Sequence, residues 1–301
     1  MIALGVSDQE LAQQAINVFG IGSTYALLAI GLAMVFSIVG LINFAHGELV
    51  TVAAYTIYLG HVLDVPFALA LVGAVAAATV VAVLMERIAF RPLRGAGFVT
   101  LLLSSFAVAV IIQSLFIALV SPRQKGVPFP DFFSDTLAIG SLTIGWLEIM
   151  SAIVCFGALL LLTLMLRRTT SGLGMLAASQ DFAVTRLMGI RANRVIALAF
   201  AISGLLAGLA AIFILARRGT VEPTMGFTPV LKAFIAIVIG GLGSLSGAVV
   251  GGFVLAFVEV ALATFLPSDL APFRDAFALT IVIAILYFRP NGLLGPREAY
   301  A

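Results

Sequence analysis

Apolar residues run along this chain in long unbroken stretches, without the alternation of period 2 or 3.6 that marks a segment with one wet face. Stretches at 18–39, 67–85, 98–120, 147–166, 195–215 and 248–266 have the length that a hydrocarbon layer of roughly 30 Å demands of a helix, about 17 to 25 residues. Shorter or irregular segments at 50–60, 230–243 and 272–288 complete the pattern, the last with Arg274 and Asp275 in its outer turn. The pattern predicts an all-α fold, a polytopic integral membrane helical bundle of about 8–9 transmembrane segments, some short or broken. The whole of 1–301 is read as a single transmembrane domain.

Composition narrows the classes. The chain is 62% hydrophobic and 10% charged, with a mean hydropathy of +1.20. A soluble domain carries about a quarter charged residues, so a water-soluble fold would have nowhere to put this apolar surface. Lys+Arg number 16 against 14 Asp+Glu, and the basic residues form no dense patch, which sets nucleic acid aside as a partner. The single cysteine, Cys155, lies in an apolar run and reads as a small core residue, leaving neither an internal disulfide nor a cysteine metal site. Asp8 and Glu10 stand where a signal peptide would be positive, so no removed presequence is expected, and the acidic start suits an exported tail.

Positively charged loops are retained in the cytoplasm, and this sets the expected orientation. An external N-terminus makes 86–97, 167–194 and 289–301 cytoplasmic, gathering most of the 16 basic residues there. Arg123, Lys125, Arg217, Arg218, Lys232 and Arg274 would lie outside or near the outer interface, and the Arg217–Arg218 pair runs against the assignment. With the C-terminus inside, the number of crossings is odd: nine as segmented, or seven if 230–266 is a re-entrant hairpin.

Polar residues interrupt the apolar runs at a few places. Asn43, His46 and Glu48 fall in Gly-Leu-Ile-Asn-Phe-Ala-His-Gly-Glu at 40–48. A carboxylate or imidazole facing hydrocarbon costs several kcal/mol, so these side chains must face protein or water. The segment reads as a structured turn or helix break beside a translocation pathway, against the plainer alternative of a short connecting turn with Glu48 capping the next helix. The run 240–252 is dense in glycine and contains Ser244 and Ser246; Gly243, Gly247 and Gly251 are four apart, the spacing that lets helices approach closely. It supports tight packing or a pathway-lining break equally well. Glu259, alone in an apolar span, is expected to hydrogen-bond toward the bundle interior. Two polar interruptions, one early and one late, fit paired broken helices framing a site at mid-membrane. No metal site and no catalytic residue is indicated, since the other histidine, His61, falls at the far end of the following helix.

The loop 167–194 carries a helical signature. Leu173, Leu176, Ala177, Gln180, Ala183, Val184 and Leu187 recur at helical spacing, and Gly189 is placed to end the helix in a left-handed cap. A helix at 174–188 lying on the lipid surface is one reading. The small Ala177 and Ala183, with Asp181 offering a charge, fit a protein groove better, and docking to a cytoplasmic partner is the preferred one.

Taken together, the motifs at 40–48, 177–190 and 240–252 resemble the branched-chain amino acid permeases of ATP-binding-cassette importers, specifically their shorter permease subunit. The resemblance covers essentially the whole chain. It implies a second, related permease subunit, two cytoplasmic ATPase subunits, a periplasmic substrate-binding protein, and residence in the bacterial inner membrane among its lipids. ATP would be used by those partner subunits and no cofactor held here; consistently, the chain lacks the Gly-x-x-x-x-Gly-Lys-Ser/Thr phosphate loop. Residues 174–188 would then be the coupling helix, with Ala177, Asp181, Ala183 and Gly189 at the ATPase contact. Permeases for urea, amides or sugars are alternatives within the class, and an ion-coupled carrier using His46, Glu48 and Glu259 is the alternative outside it.

Overall fold

The computed structural model describes residues 8–180 and 182–295. Its helices are α1 (Asp8–Val39), α2 (His46–Val62), α3 (Phe67–Met85), α4 (Phe98–Leu119), α5 (Trp146–Arg168), α6 (Thr170–Gln180), α7 (Phe182–Leu187), α8 (Ala192–Arg218), α9 (Phe227–Gly240), α10 (Leu245–Phe265) and α11 (Arg274–Phe288). Among the described residues seven are long and apolar enough to cross a membrane, counting α3 with its π-helical continuation to Phe90 and α11 with the 3₁₀ turn before it. The chain is a polytopic helical membrane protein.

Helices α1 and α8 form the hub, and α3, α4, α5 and α11 lie at the periphery with their apolar side chains outward. Such faces need a hydrocarbon solvent, which explains the absence of polar periodicity in the sequence. Lipid solvates leucine as well as protein does, so cohesion comes from close approach of small residues. Ala70, Ala74, Ala78 and Ala82 make one buried stripe on α3, in which Ala78 and Ala82 face Gly204 and Gly208 of α8 and Ala70 packs on Gly60 of α2. A Cβ at Gly204 would fall 2.6 Å from the Ala82 Cβ and 2.7 Å from the Ala78 carbonyl oxygen.

The glycine triplet of the late run divides between two jobs. Gly247 and Gly251 bring α10 against α9, a Cβ at Gly251 falling 2.9 Å from the Gly240 nitrogen. A Cβ at Gly243 would meet nothing, but the residue sits in the turn between the two helices at φ +86°, where a side chain would be strained. Ser244 caps α10 by accepting the Gly247 N–H at 3.0 Å. Beyond α11 the chain tucks back, and the Leu293 and Leu294 N–H groups donate to the Ile239 and Gly240 carbonyls at 2.8 and 2.9 Å, satisfying the open end of α9.

One end of the bundle collects the C-terminal ends of α1, α5 and α9 with α6, as the shared lining Ser37, Arg167, Ser179 and Gly243 requires. The other end carries the hairpin of β2 (Thr136–Ile139) and β3 (Leu142–Gly145), held to α1 by the Gln13 amide donating to the Thr143 carbonyl at 2.8 Å. There β1 (Lys125–Gly126) pairs with β4 (Thr220–Val221). The loops at 121–146 and 167–194 thus lie at opposite ends.

The helix expected at 174–188 is described on both sides of residue 181, as α6 to Gln180 and α7 from Phe182. Helix α6 starts at Thr170, directly after α5, because Thr169 leaves helical geometry at φ −109°, ψ 149° and its hydroxyl accepts the Gly172 N–H at 3.0 Å. The helix α7 follows, and Gly189 beyond it has φ +81°. Asp181 lies outside the described residues.

The architecture repeats itself in inverted order. Helix α2 packs on α3 and α8 while α9 packs on α10 and α1; α3 packs on α8 while α10 packs on α1. The units α1–α2–α3 and α8–α9–α10 therefore interlock through their first members, which run antiparallel. In each unit the middle helix is short, 17 residues for α2 and 14 for α9.

Candidate functional site

The site is built where the two short helices begin. After α1 ends, residues 40–45 fold back into the bundle without helical hydrogen bonding and deliver His46 level with Gly31 of α1 and Ser203 of α8. Ser203 lies roughly 17 Å into α8 at 1.5 Å per residue, close to that helix's middle. The turn is pinned by the Phe44 ring, stacked on Phe106 at 4.6 Å and tilted against Phe234 at 5.6 Å, and by the Phe44 N–H donating to Ser105 Oγ at 3.3 Å. On the other side the segment after β4 returns to the same depth and starts α9. Gly226 meets Gly47 backbone to backbone there, a contact that any side chain at either position would break.

Asn43, His46 and Glu48 are brought together around this meeting point, at 1%, 0% and 1% exposure. They belong to the break and to the first turn of α2, so His46, Gly47 and Glu48 are helical and the break precedes them. His46 Nδ1 shares a proton with Ser203 Oγ at 3.0 Å, and a Cβ at Gly31 would lie 3.0 Å from its Cε1, so the ring is clamped between α1 and α8. Glu48 Oε1 accepts the Gln113 amide from α4 at 2.7 Å. Its Oε2, the Asn43 Oδ1, the His46 Nε2 and the Thr51 and Tyr55 hydroxyls are buried with no hydrogen-bond partner among the described residues. Glu48, Thr51 and Tyr55 fall at i, i+3 and i+7, a polar stripe along one face of α2 in an otherwise apolar core.

Glu259 stands apart from this cluster. Its Oε1 pairs with Lys232 Nζ of α9 at 2.8 Å, its Oε2 accepts the Tyr25 hydroxyl at 2.7 Å, and Lys232 donates to the same hydroxyl at 3.0 Å. This triad ties α1, α9 and α10 together and borders a cavity of about 270 Å³ with Thr24, Arg217 and Thr228. Ser244 and Ser246 lie elsewhere again, 3.3 Å apart at the α9–α10 turn. Ser246, with Arg167 and Ser179, lines a cavity of about 360 Å³ at the end of the bundle that carries α6. Among the described residues no three of His, Cys, Asp and Glu come together as a metal site would need. On α6, Met175 and Ala178 pack inward while Leu173, Leu176 and Ala177 stay wholly or partly open; at α7, Leu187 is 86% exposed.

Residues 14–286 match the family described as the branched-chain amino acid transport system permease component. The chain belongs to this permease family. It is 34% identical to the high-affinity branched-chain amino acid transport system permease protein BraD of Pseudomonas aeruginosa, over 95% of this chain and 96% of that protein. It is 32% identical to the permease protein LivH of Escherichia coli over the same shares. Similarity to the ribose import permease protein RbsC of Haemophilus influenzae, 29% identical, extends over 42% of this chain and 41% of that one. No solved structure matches significantly.

Within the permease, sequence reasoning missed Ser203 and Gln113, which reach the cluster from α8 and α4, and Thr51 and Tyr55, which extend it. Serine, threonine and single glutamines in apolar helices bond their own backbone too often to stand out. Lys232, expected near the outer interface, lines a cavity with Arg217 and Arg218 and pairs with Glu259. A lone lysine in an apolar run needs a carboxylate, and Glu259 was the candidate.

Proposed function

We propose that this chain is the membrane-spanning permease subunit of an ATP-driven importer that carries branched-chain or related amino acids into the cytoplasm. The observation that carries the reading is the family match over residues 14–286, joined to relatives named for that transport over nearly their whole length. The partners follow from the same membership: a second related permease, two cytoplasmic ATPase subunits and a periplasmic substrate-binding protein, in the bacterial inner membrane. The ATPases bind the ATP; this chain holds no cofactor and catalyses no reaction.

Asn43, His46 and Glu48 border the translocation route, with α2 and α9 as its paired broken helices; Ser244, Ser246 and Glu259 are assigned beside it. Residues 40–45 with α2, and 219–226 with α9, each complete one crossing, and with the seven long helices they give nine. The N-terminus is external and the C-terminus cytoplasmic. Residues 174–188 form the coupling element, with Ala177, Asp181, Ala183 and Gly189 assigned to the ATPase contact and Gly189 turning the chain toward α8.

The test is reconstitution of the chain with a second permease, two ATPases and a binding protein in proteoliposomes. ATP-dependent uptake of labelled leucine is expected. Uptake of ribose or urea in its place would move the substrate, and uptake driven by an ion gradient without ATP would replace the mechanism.

A further inference from the structure

The bundle's interior carboxylates share one arrangement, with one exception. Glu86 pairs with Arg94, Glu148 with Arg217 at 3.3 Å and Glu259 with Lys232 at 2.8 Å. A carboxylate taken out of water requires such a cation or dense hydrogen bonding. Glu48, 1% exposed, has neither: among the described residues no cation reaches it, its Oε1 has the Gln113 amide and its Oε2 has nothing. Thr51, one turn on, is close enough to interact but outside hydrogen-bonding geometry.

Its surroundings are arranged for negative charge all the same. Glu48 sits in the first turn of α2, where the positive end of the helix dipole lies, and Gly226 at the start of α9 is in contact with Gly47 beside it, adding a second positive end. The carboxylate is thus held at mid-bundle with one oxygen open. The free hydroxyls of Thr51 and Tyr55 lead from it along α2 toward the end that carries the β-strands.

Building on the transport reading above, we propose that the missing cation is the α-ammonium group of the solute, which Glu48 receives at mid-membrane as the Gly47–Gly226 contact opens. The ammonium donates to Oε2, Thr51 and Tyr55 offer hydroxyl acceptors on the approach, and no covalent change occurs. The site thereby selects a molecule with a charged amine, as amino acids have and sugars and urea lack.

The assembled transporter in proteoliposomes tests this with Glu48→Gln, which keeps the volume and the Gln113 contact and removes only the charge, and with Glu48→Asp. Glu48→Gln is expected to lower leucine uptake by roughly 30-fold or more, the usual consequence of unpairing a buried charge. ATP hydrolysis stimulated by the loaded binding protein should persist, and Glu48→Asp should recover part of the uptake. A merely structural carboxylate would leave Glu48→Gln transporting, since its packing and its amide contact survive. Wild-type uptake by Glu48→Gln overturns the proposal, and so does loss of the second permease on purification, which would make the cation a partner's side chain. A wild-type transporter that moves no amino acid would defeat the transport reading itself, a result visible before any variant is made.

Discussion

His46 holds its place through three neighbours at once: the Ser203 hydroxyl at 3.0 Å, the bare backbone of Gly31, and the turn that precedes it, whose Asn43 carbonyl accepts the His46 N–H at 3.1 Å. Each belongs to a different element, so the ring reports the relative position of α1, α2 and α8. Replacing His46 by Ala leaves a cavity at that junction and an unpaired serine, while the apolar packing of α1 on α8 elsewhere is untouched. Leucine uptake should fall about tenfold or more, which about 1.4 kcal/mol on a barrier suffices to produce, with the ATPases still co-purifying. Unchanged uptake would reduce 40–48 to a connector. The importance of Asn43, His46 and Glu48 was legible because charge and imidazole are costly in an apolar run. Their partners Ser203 and Gln113 were not, since pairing across about 160 and 65 positions leaves no local trace in the order of residues.

At the level of elements, length was legible, while breakage was legible at 40–48 but not in its exact geometry. The long spans carry enough apolar residues to be recognised wherever their ends fall, although α1 begins ten residues before the expected start at 18, its first turns being polar. Helices α2 and α9 escape the length criterion because each begins inside the bundle, where glycine at 47 and 226 permits a backbone contact that no hydropathy pattern encodes. The loop 167–194 shows the converse: its helical period was readable, yet the capping hydroxyl of Thr169 divides α5 from α6. Its outward side chains motivate a prediction. Leu187, at 86% exposure, contributes little to the packing of the chain on itself, so Leu187→Asp should leave folding of the bundle intact. If α6 and α7 form the ATPase contact, that variant should lose ATPase co-purification or hydrolyse ATP without transport. Normal uptake with normal ATPase retention would exclude this surface as the coupling element.

For the whole molecule, the inverted pairing of α1–α2–α3 with α8–α9–α10 gives that six-helix core no intrinsic direction, so orientation has to be argued from charge. The end with α6 carries Arg167, Arg168, Arg191 and Arg194, and Arg94, whose guanidinium pairs with Glu86 and reaches Asn193. The opposite end carries Arg217 and Arg218, the residues that argued against an external assignment. Both are paired, Arg217 with Glu148 at 3.3 Å and Arg218 with Glu222 at 3.5 Å, so these two residues add little uncompensated positive charge there. On the proposed orientation the positive-inside bias favours α6 and α7 in the cytoplasm and the β2–β3 hairpin outside. Single cysteines at Ser179 and Ser134, both exposed and at opposite ends, test this once Cys155, which is fully buried, has been replaced by Ala. In intact cells with a permeable outer envelope, a membrane-impermeant maleimide should label Ser134→Cys and spare Ser179→Cys until the inner membrane is opened. Labelling of Ser179→Cys alone in sealed cells would invert the molecule, turn the coupling surface toward the binding protein, and remove the basis for ATPase docking at α6 and α7.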